Sequence, residues 1–290
     1  MSSPRPPSLD DLPCHSPWPA RLLGLEPWEP RQKTRAEILR EYEREKWAPL
    51  LARFRHARAQ GSPAGLADVD RWFTPSASED TLVTVNDEWQ FMRPTTVRER
   101  YLGLIESALA RWCPRPDALV ELGAGYGGVL LHLLRGTYSR VPAIGLDVCP
   151  SGVALLSEIA RAEDLNVVAG TCDLTSPSVT DHAIPPRALF YTSYATSCVP
   201  NLPGEFVARL ASFRPMLVVH FEPLFEHARQ DTLLGLLRRR YVEVNGYDRS
   251  FLGTLRMAVQ DGRIEILDEL PNVFGANPLF AASVVVWRPR

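Results

Sequence analysis

Lysine is almost missing from this chain: only Lys33 and Lys46 stand among its 32 basic residues, and the rest are arginine. No lysine-rich tract exists, and the formal net charge is −2. The net charge argues against a nucleic-acid-binding surface, which carries a basic excess. The one cationic run, Arg238-Arg239-Arg240, closes a predicted helix, where positive charge suits the helix dipole. Cysteine is sparse as well. The five thiols (Cys14, Cys113, Cys149, Cys172, Cys198) are odd in number and scattered, with no Cys-x-x-Cys pair, so neither a disulfide framework nor a metal site is expected. There is no run of 18 apolar residues and no signal-peptide pattern, so the expectation is a cytoplasmic protein without membrane contact.

What is present is ordinary for a globular protein: 290 residues, 45% hydrophobic and 23% charged, enough to bury a real core. Residues 1–30 form a proline-rich arm (Pro4, Pro6, Pro7, Pro13, Pro17, Pro19, Pro27, Pro30) that Trp18 and Trp28 could dock onto the body. A helical pattern starts at Thr34 through Ile38, Leu39, Tyr42 and Trp47. Pro49 is expected to interrupt it and open a second helix through Leu50, Leu51 and Phe54. Gly61, Pro63 and Gly65 read as a loop, and residues 81–85 as a short strand. The capping box Thr96-x-x-Glu99 opens a helix with Val97, Tyr101, Leu104, Ile105, Leu109 and Trp112 on one face, ending before Pro114.

Beyond that point strands (118–122, 142–147, 166–170, 187–192, 215–221) alternate with helices (127–135, 151–162, 203–212, 224–240). That alternation predicts a Rossmann-like α/β fold whose parallel sheet is covered on both faces. The ending differs: strands 263–268 and 281–288 have no room for a helix between them and must pair antiparallel.

The most informative segment is Leu119-Val-Glu121-Leu-Gly123-Ala124-Gly125-Tyr-Gly127. A strand runs into an acid and then into glycines at alternate positions, which lets a small polar ligand approach the main chain. Gly123-x-Gly125-x-x-Gly128 also satisfies the dinucleotide fingerprint, but a carboxylate at Glu121 is unwelcome beside a pyrophosphate. The next strand ends 26 residues on, in Asp147, which could accept from paired ribose hydroxyls or merely cap the helix near Ser151. Asp173, in Gly170-Thr-Cys172-Asp173-Leu174, could accept from an adenine amino group or be a plain loop aspartate.

With these residues the chain resembles the class I S-adenosylmethionine-dependent methyltransferases, over about residues 118–290. The resemblance implies a seven-stranded, mostly parallel sheet of order 3-2-1-4-5-7-6, its last strand antiparallel. It implies S-adenosyl-L-methionine as methyl donor and S-adenosyl-L-homocysteine as product. Gly123, Ala124, Gly125 and Gly127 would line the methionine and ribose, with Glu121 holding the ammonium directly or through water. Asp147 and Val148 would flank the ribose, and Cys172, Asp173 and Leu174 the adenine. Thr192, Ser193 and Tyr194 would sit near the sulfonium. The domain division is then a proline-rich arm (1–30), a helical cap or lid (31–112) and a methyltransferase domain (113–290).

Chemistry beyond donor binding needs alignment, exclusion of water and, for a protonated acceptor, a base. His220 and Glu222, on one side of the strand ending Val-Val-His220-Phe-Glu222-Pro, are the candidate base and its partner. Equally, they could pack under a loop and cap a helix. Candidate acceptor-binding residues are Glu88, Trp89, Phe91, Arg93 and Tyr101, with Asn245, Tyr247 and Asp248 further on. Tyr191-Thr192-Ser193-Tyr194 departs from the Asn-Pro-Pro-Tyr motif of nucleic-acid amino methylation, and it lacks the aspartate of magnesium-dependent catechol enzymes. The leading expectation is methyl transfer to O or N of a small organic metabolite, in specialised biosynthesis. The alternatives are a methyltransferase acting on a peptide or RNA, a nicotinamide-dependent oxidoreductase, and a catalytically silent binding module. Oligomeric state is not legible.

Overall fold

The computed structural model describes residues 5–29, 33–74, 79–176, 178–180, 182–199 and 202–290; Pro4 and Pro30 of the arm lie outside them. Its centre is a nine-stranded sheet in the order β2-β1-β8-β9-β7-β6-β3-β4-β5. The strands are β1 (Thr81–Val85), β2 (Glu88–Met92), β3 (Leu119–Leu122), β4 (Ala143–Asp147), β5 (Val167–Thr171), β6 (Leu189–Ser193), β7 (Leu217–Glu222), β8 (Ile264–Gly275) and β9 (Ala282–Pro289). Strands β3 to β7 run parallel, and β9 inserts antiparallel between β7 and β8. The seven strands from β3 onward therefore follow the expected order, 3-2-1-4-5-7-6. The expected count of seven is corrected to nine. The hairpin of β1 and β2 adds to the free edge of β8, with Thr84 opposite Gly275 and Val85 opposite Phe274.

Alternation along each strand sends side chains to opposite faces. Val120, Leu122, Ile144, Leu146, Phe190 and Val218 pack with Phe206, Leu210, Phe251 and Leu255. Leu119, Ala143, Leu189, Tyr191, Val219 and Phe221 pack on the other face with Ile105, Leu109, Leu130 and Leu134. β7 is buried at every position, as a central parallel strand must be.

Several helices differ from expectation for local reasons. The helix Arg35–Arg40 is capped by Thr34, whose side chain and Glu37 form a reciprocal box. It does not break at Pro49. It widens into a π-helical stretch, Glu41–Trp47, and continues as Ala48–Ala59 with Pro49 in the first turn. The wider turn accommodates a residue that cannot donate to the preceding carbonyls. The helix expected from Thr96 starts at Pro94, because a proline at the first position is already set at helical φ. Leu66–Phe73 and Phe251–Gln260 are additional helices. The helix expected at 224–240 is a short 3₁₀ turn, Phe225–His227, followed by Leu233–Asn245. The arm packs on the body: Trp18 stands edge-on to Tyr241 at 4.7 Å, and Trp28 against Trp18 at 5.1 Å.

Candidate functional site

At the carboxyl ends of β3 to β6 lies a cleft of about 730 Å³, the open solvent at its mouth included. Its position is where an open α/β sheet places ligands, since strand order reverses between β3 and β6. β3 delivers the glycine turn to its floor. The amides of Gly123 and Ala124 both donate to Leu146 O, at 2.8 and 2.9 Å. Gly123 has φ +78°, and a Cβ there would come within 2.4 Å of the Ala195 Cβ. Glycine is needed both for the left-handed backbone and for the close approach of the loop after β6. Gly125, at φ +54°, is instead covered by the Trp47 indole, 2.7 Å from where a Cβ would stand. Gly123 lines the cleft; Ala124, Gly125 and Gly127 do not, Gly125 lying against Trp47 and Gly127 against Leu156.

Asp147 ends β4 on the cleft wall, 8% exposed. One carboxylate oxygen accepts from Gly125 N and the other from Cys149 N, both at 2.8 Å. Burial raises its pKa, and those two amides work against the rise. Each oxygen keeps a lone pair for a ligand donor. Val148 and Cys149 continue this wall. Across from it, Cys172, Asp173, Leu174 and Thr175 follow β5. Asp173 accepts from Thr175 N at 2.9 Å and Thr175 Oγ1 at 2.6 Å, and forms an ion pair with Arg35. Burial pushes its pKa up, but the Thr175 bonds and Arg35 outweigh it and hold the carboxyl below its usual range.

Glu121 does not reach the cleft. It shares the sheet face of Leu119, accepts from Leu130 N at 3.2 Å near the start of helix Gly128–Arg135, and is 3% exposed. Burial lifts its pKa from 4.5 to about 8. Thr192 is likewise buried, 2.9 Å from His220 Nδ1. Ser193 meets the Tyr101 hydroxyl at 2.7 Å. Tyr194 does line the cleft; it holds φ +52°, costly for a side chain with a Cβ, and donates to Phe280 O at 3.1 Å.

His220 and Glu222 are placed in the core and not on the cleft wall. His220 is fully buried between Phe251 and Trp287. Trp287 Nε1 donates to its Nε2 at 3.0 Å, which leaves the proton on Nδ1, facing Thr192. Burial depresses its pKa to about 3. Glu222 accepts from the amides of Ala195 (2.9 Å), Thr196 and Ser197 (both 3.2 Å), and so shapes the loop that forms one side of the cleft. Neither alternative reading holds as stated: His220 packs between a helix and a strand and not under a loop, and Glu222 accepts the first amides of the 3₁₀ turn Thr196–Cys198 instead of capping a helix near Leu224.

The expected acceptor residues scatter. Glu88, Trp89 and Phe91 lie on β2, the edge strand farthest from β5, with Glu88, Phe91 and Arg93 exposed. Trp89 joins Leu12, Trp18, Tyr241 and Phe280 in a cluster under the arm. Asn245 bonds Tyr241 O at 2.8 Å, and Tyr247 stacks on Phe280 at 4.6 Å. Asp248 is buried, and its carboxylate accepts from Ser250 N at 2.9 Å. Of this set Tyr101 approaches the cleft through Ser193 and through Tyr194, 5.7 Å away between ring centroids, and Tyr247 lies near the lining residues Cys198 and Tyr42.

Site residues that the sequence did not single out as such lie on the N-terminal helix, inside the segment 31–112 expected as a helical cap or lid. Arg35, Ile38, Leu39, Tyr42 and Trp47 roof the cleft, and Ala195, Cys198 and Val199 close its side. Glu43 fastens the roof by accepting from Ser151 N at 3.0 Å, and Tyr42 Oη lies 3.6 Å from Cys198 Sγ. The i, i+3, i+4 spacing of Ile38, Tyr42 and the residues around them was a visible signal of an apolar face; which of its side chains meet the cleft was not. Among the described residues no group of three or more potential metal-binding side chains occurs, and no helix is long and apolar enough to cross a membrane.

No protein-family model and no curated protein matches the sequence. Solved structures do match in shape. The magnesium protoporphyrin IX methyltransferase of Synechocystis PCC 6803 with bound S-adenosylhomocysteine aligns at TM-score 0.50 and 11% identity, over 67% of this chain and 84% of that one. A SAM-dependent methyltransferase from Aquifex aeolicus aligns at 0.43 and 14%, over 68% and 98%. The plantazolicin methyltransferase BamL aligns at 0.46 and 11%, over 68% and 90%. The fold is that of the class I S-adenosylmethionine-dependent methyltransferases.

Proposed function

We propose that this protein is an enzyme that transfers a methyl group from S-adenosylmethionine to oxygen or nitrogen of a small organic metabolite, as in specialised biosynthesis, and releases S-adenosylhomocysteine. The observation that carries the reading is the lining of the cleft: main chain at Gly123, Asp147 on one wall, Asp173 with Leu174 on the other, and apolar side chains over most of the rest. The donor supplies an electrophilic methyl carbon on a positively charged sulfur. An adenosine with a cationic end fits such a lining. A diphosphate does not, because Arg35 is the one lining cation among the described residues and it is already paired with Asp173.

In this reading the free lone pairs of Asp147 accept from the ribose hydroxyls, and Asp173 accepts from the adenine amino group while Leu174 packs on the ring. Glu121 acts at one remove, fixing the helix that follows the glycine turn. Tyr194 and Ala195 face the reacting end, and the roof from Arg35 to Trp47 keeps water out. Calorimetry with S-adenosylmethionine, S-adenosylhomocysteine and NAD tests the assignment. The two adenosyl ligands should bind and NAD should not. Asp147→Asn should weaken the adenosyl ligands by about 10- to 100-fold, the loss expected for a hydrogen bond to a charged group. Binding of NAD alone, or unchanged affinity in Asp147→Asn, rejects it.

A further inference from the structure

The cleft holds titratable groups, but each is already committed. Asp147 is engaged by two amides and Asp173 by Thr175 and Arg35. The thiols of Cys149 and Cys172 are pushed up to about 12 by burial, and burial raises the Tyr194 phenol as well. Cys198 and Tyr42 face each other, and both are raised, Cys198 by burial and Tyr42 chiefly by Cys198. Behind the wall, Glu222 accepts three amides and His220 has both ring nitrogens engaged. An alcohol or phenol entering this cleft would have to give up its proton, and the described lining offers no free group to take it.

Charge adds a second constraint. The lining has two carboxylates and one guanidinium, and the guanidinium is spent on Asp173. Beside the lining residue Tyr42, Lys46 is itself engaged, paired with Glu41 at 3.3 Å and seated over the Tyr42 ring at 3.7 Å. Tyr42, Trp47 and Tyr194 line the cleft, with one face of the Tyr42 ring already taken by Lys46, and aromatic faces attract a cation and repel an anion.

We propose, resting on the methyl-donor reading, that the acceptor is an amine nitrogen that arrives neutral and leaves as a cation. The nitrogen lone pair forms the new N–C bond, the C–S bond breaks with its electron pair going to sulfur, and the single positive charge passes from sulfur to nitrogen. If the nitrogen still bears a hydrogen, the proton leaves afterwards to solvent. The cleft thus holds one unit of positive charge before and after transfer, and Asp147, the lining carboxylate with no cationic partner among the described residues, suits both states. A carboxylate or phenolate acceptor would instead meet the negative wall and cancel the charge that wall is built to hold.

Isothermal calorimetry on the protein saturated with S-adenosylhomocysteine tests this with three benzyl probes: benzyltrimethylammonium, its neutral isostere neopentylbenzene, and the anion phenylacetate. The cation should bind at least ten-fold tighter than the neutral probe, with phenylacetate weakest. Tyr194→Leu should reduce the cation preference several-fold and Tyr194→Phe should keep it, each compared at full S-adenosylhomocysteine occupancy. Equal binding of the three probes, no binding by any, or a preference for phenylacetate overturns the proposal. Failure of S-adenosylhomocysteine itself to bind would instead strike the methyl-donor reading. If Tyr194→Leu does not fold, the wild-type comparison alone decides.

Discussion

A single acid illustrates how position along a strand can override residue type. Glu121 lies in the glycine segment where a ligand contact is expected, yet strand alternation turns it to the face opposite Val120 and Leu122, where it meets Leu130 N. Its cost appears in the pH dependence of stability. The folded pKa, about 8, lies above the ordinary 4.5, so the unfolded chain releases the proton first as pH rises. Stability from this group is complete below pH 4.5 and is lost as pH climbs through about 8. Glu121→Gln keeps an acceptor for Leu130 N and removes the titration. Urea denaturation between pH 5 and 8.5 should show the wild type losing stability and the variant losing distinctly less; parallel profiles would refute the buried, proton-holding state. The same alternation explains His220. The pattern that puts His220 and Glu222 on one side was legible in the sequence. That this side is the core face, sealed by Phe251 and Trp287, was not, because those residues come from a helix and a strand that meet β7 only in three dimensions.

Among elements, the strands after residue 118 were the most readable, since each is a short apolar run bounded by turn residues. The roof helix was half readable. Its start at Thr34 and its apolar positions were visible, but Pro49 suggested a break that the π-helical stretch Glu41–Trp47 avoids. What fastens this helix follows from magnitudes. The Arg35–Asp173 pair is about half exposed on the Arg35 side, and such pairs contribute on the order of 0–1 kcal/mol. Trp47 is 7% exposed and packs on Tyr42, Phe73 and Tyr126 as well as on the glycine turn. Its removal should cost about 3–5 kcal/mol. Chemical denaturation should therefore rank Trp47→Ala far below Arg35→Ala, which stays within about 1 kcal/mol of wild type. Trp47→Phe should lie between them, since the indole Nε1 has no hydrogen-bond partner to lose. If Arg35→Ala were the more damaging, the roof would be an electrostatic latch and not a packed lid.

For the molecule as a whole, the feature that no local pattern disclosed is the extension of the sheet beyond β8. Residues 81–85 read as a strand, but nothing in them named a partner, and residues 88–93 read as an acceptor wall. In the structure they form a hairpin whose tie to the main sheet is short, Thr84 with Gly275 and Val85 with Phe274. Leu82 and Val83 are buried, and a second anchor comes from Arg238, 4% exposed on helix Leu233–Asn245. Its guanidinium pairs with Asp87 in the hairpin turn and donates to Thr84 Oγ1 at 3.2 Å and Pro278 O at 2.7 Å. The third arginine of the cationic run, Arg240, pairs with Glu243, while Arg239 lies over the Phe225 ring at 3.9 Å. The run is thus a structural anchor more than a helix-dipole feature. A buried cation deprived of its partner usually costs several kcal/mol, but Asp87 is 43% exposed and water can replace part of it. Asp87→Asn should therefore cost about 1–3 kcal/mol. Because the hairpin's backbone tie to the sheet is short and Arg238 adds to the packing of Leu82 and Val83 in holding it, the loss should be regional. Hydrogen exchange should show faster exchange at Leu82 to Met92 and in the facing segment of β8, with β3 to β7 and the cleft unchanged. Uniform acceleration through β3 to β7 would mean that hairpin and sheet unfold as one cooperative unit, and that the edge extension belongs to the core of the fold.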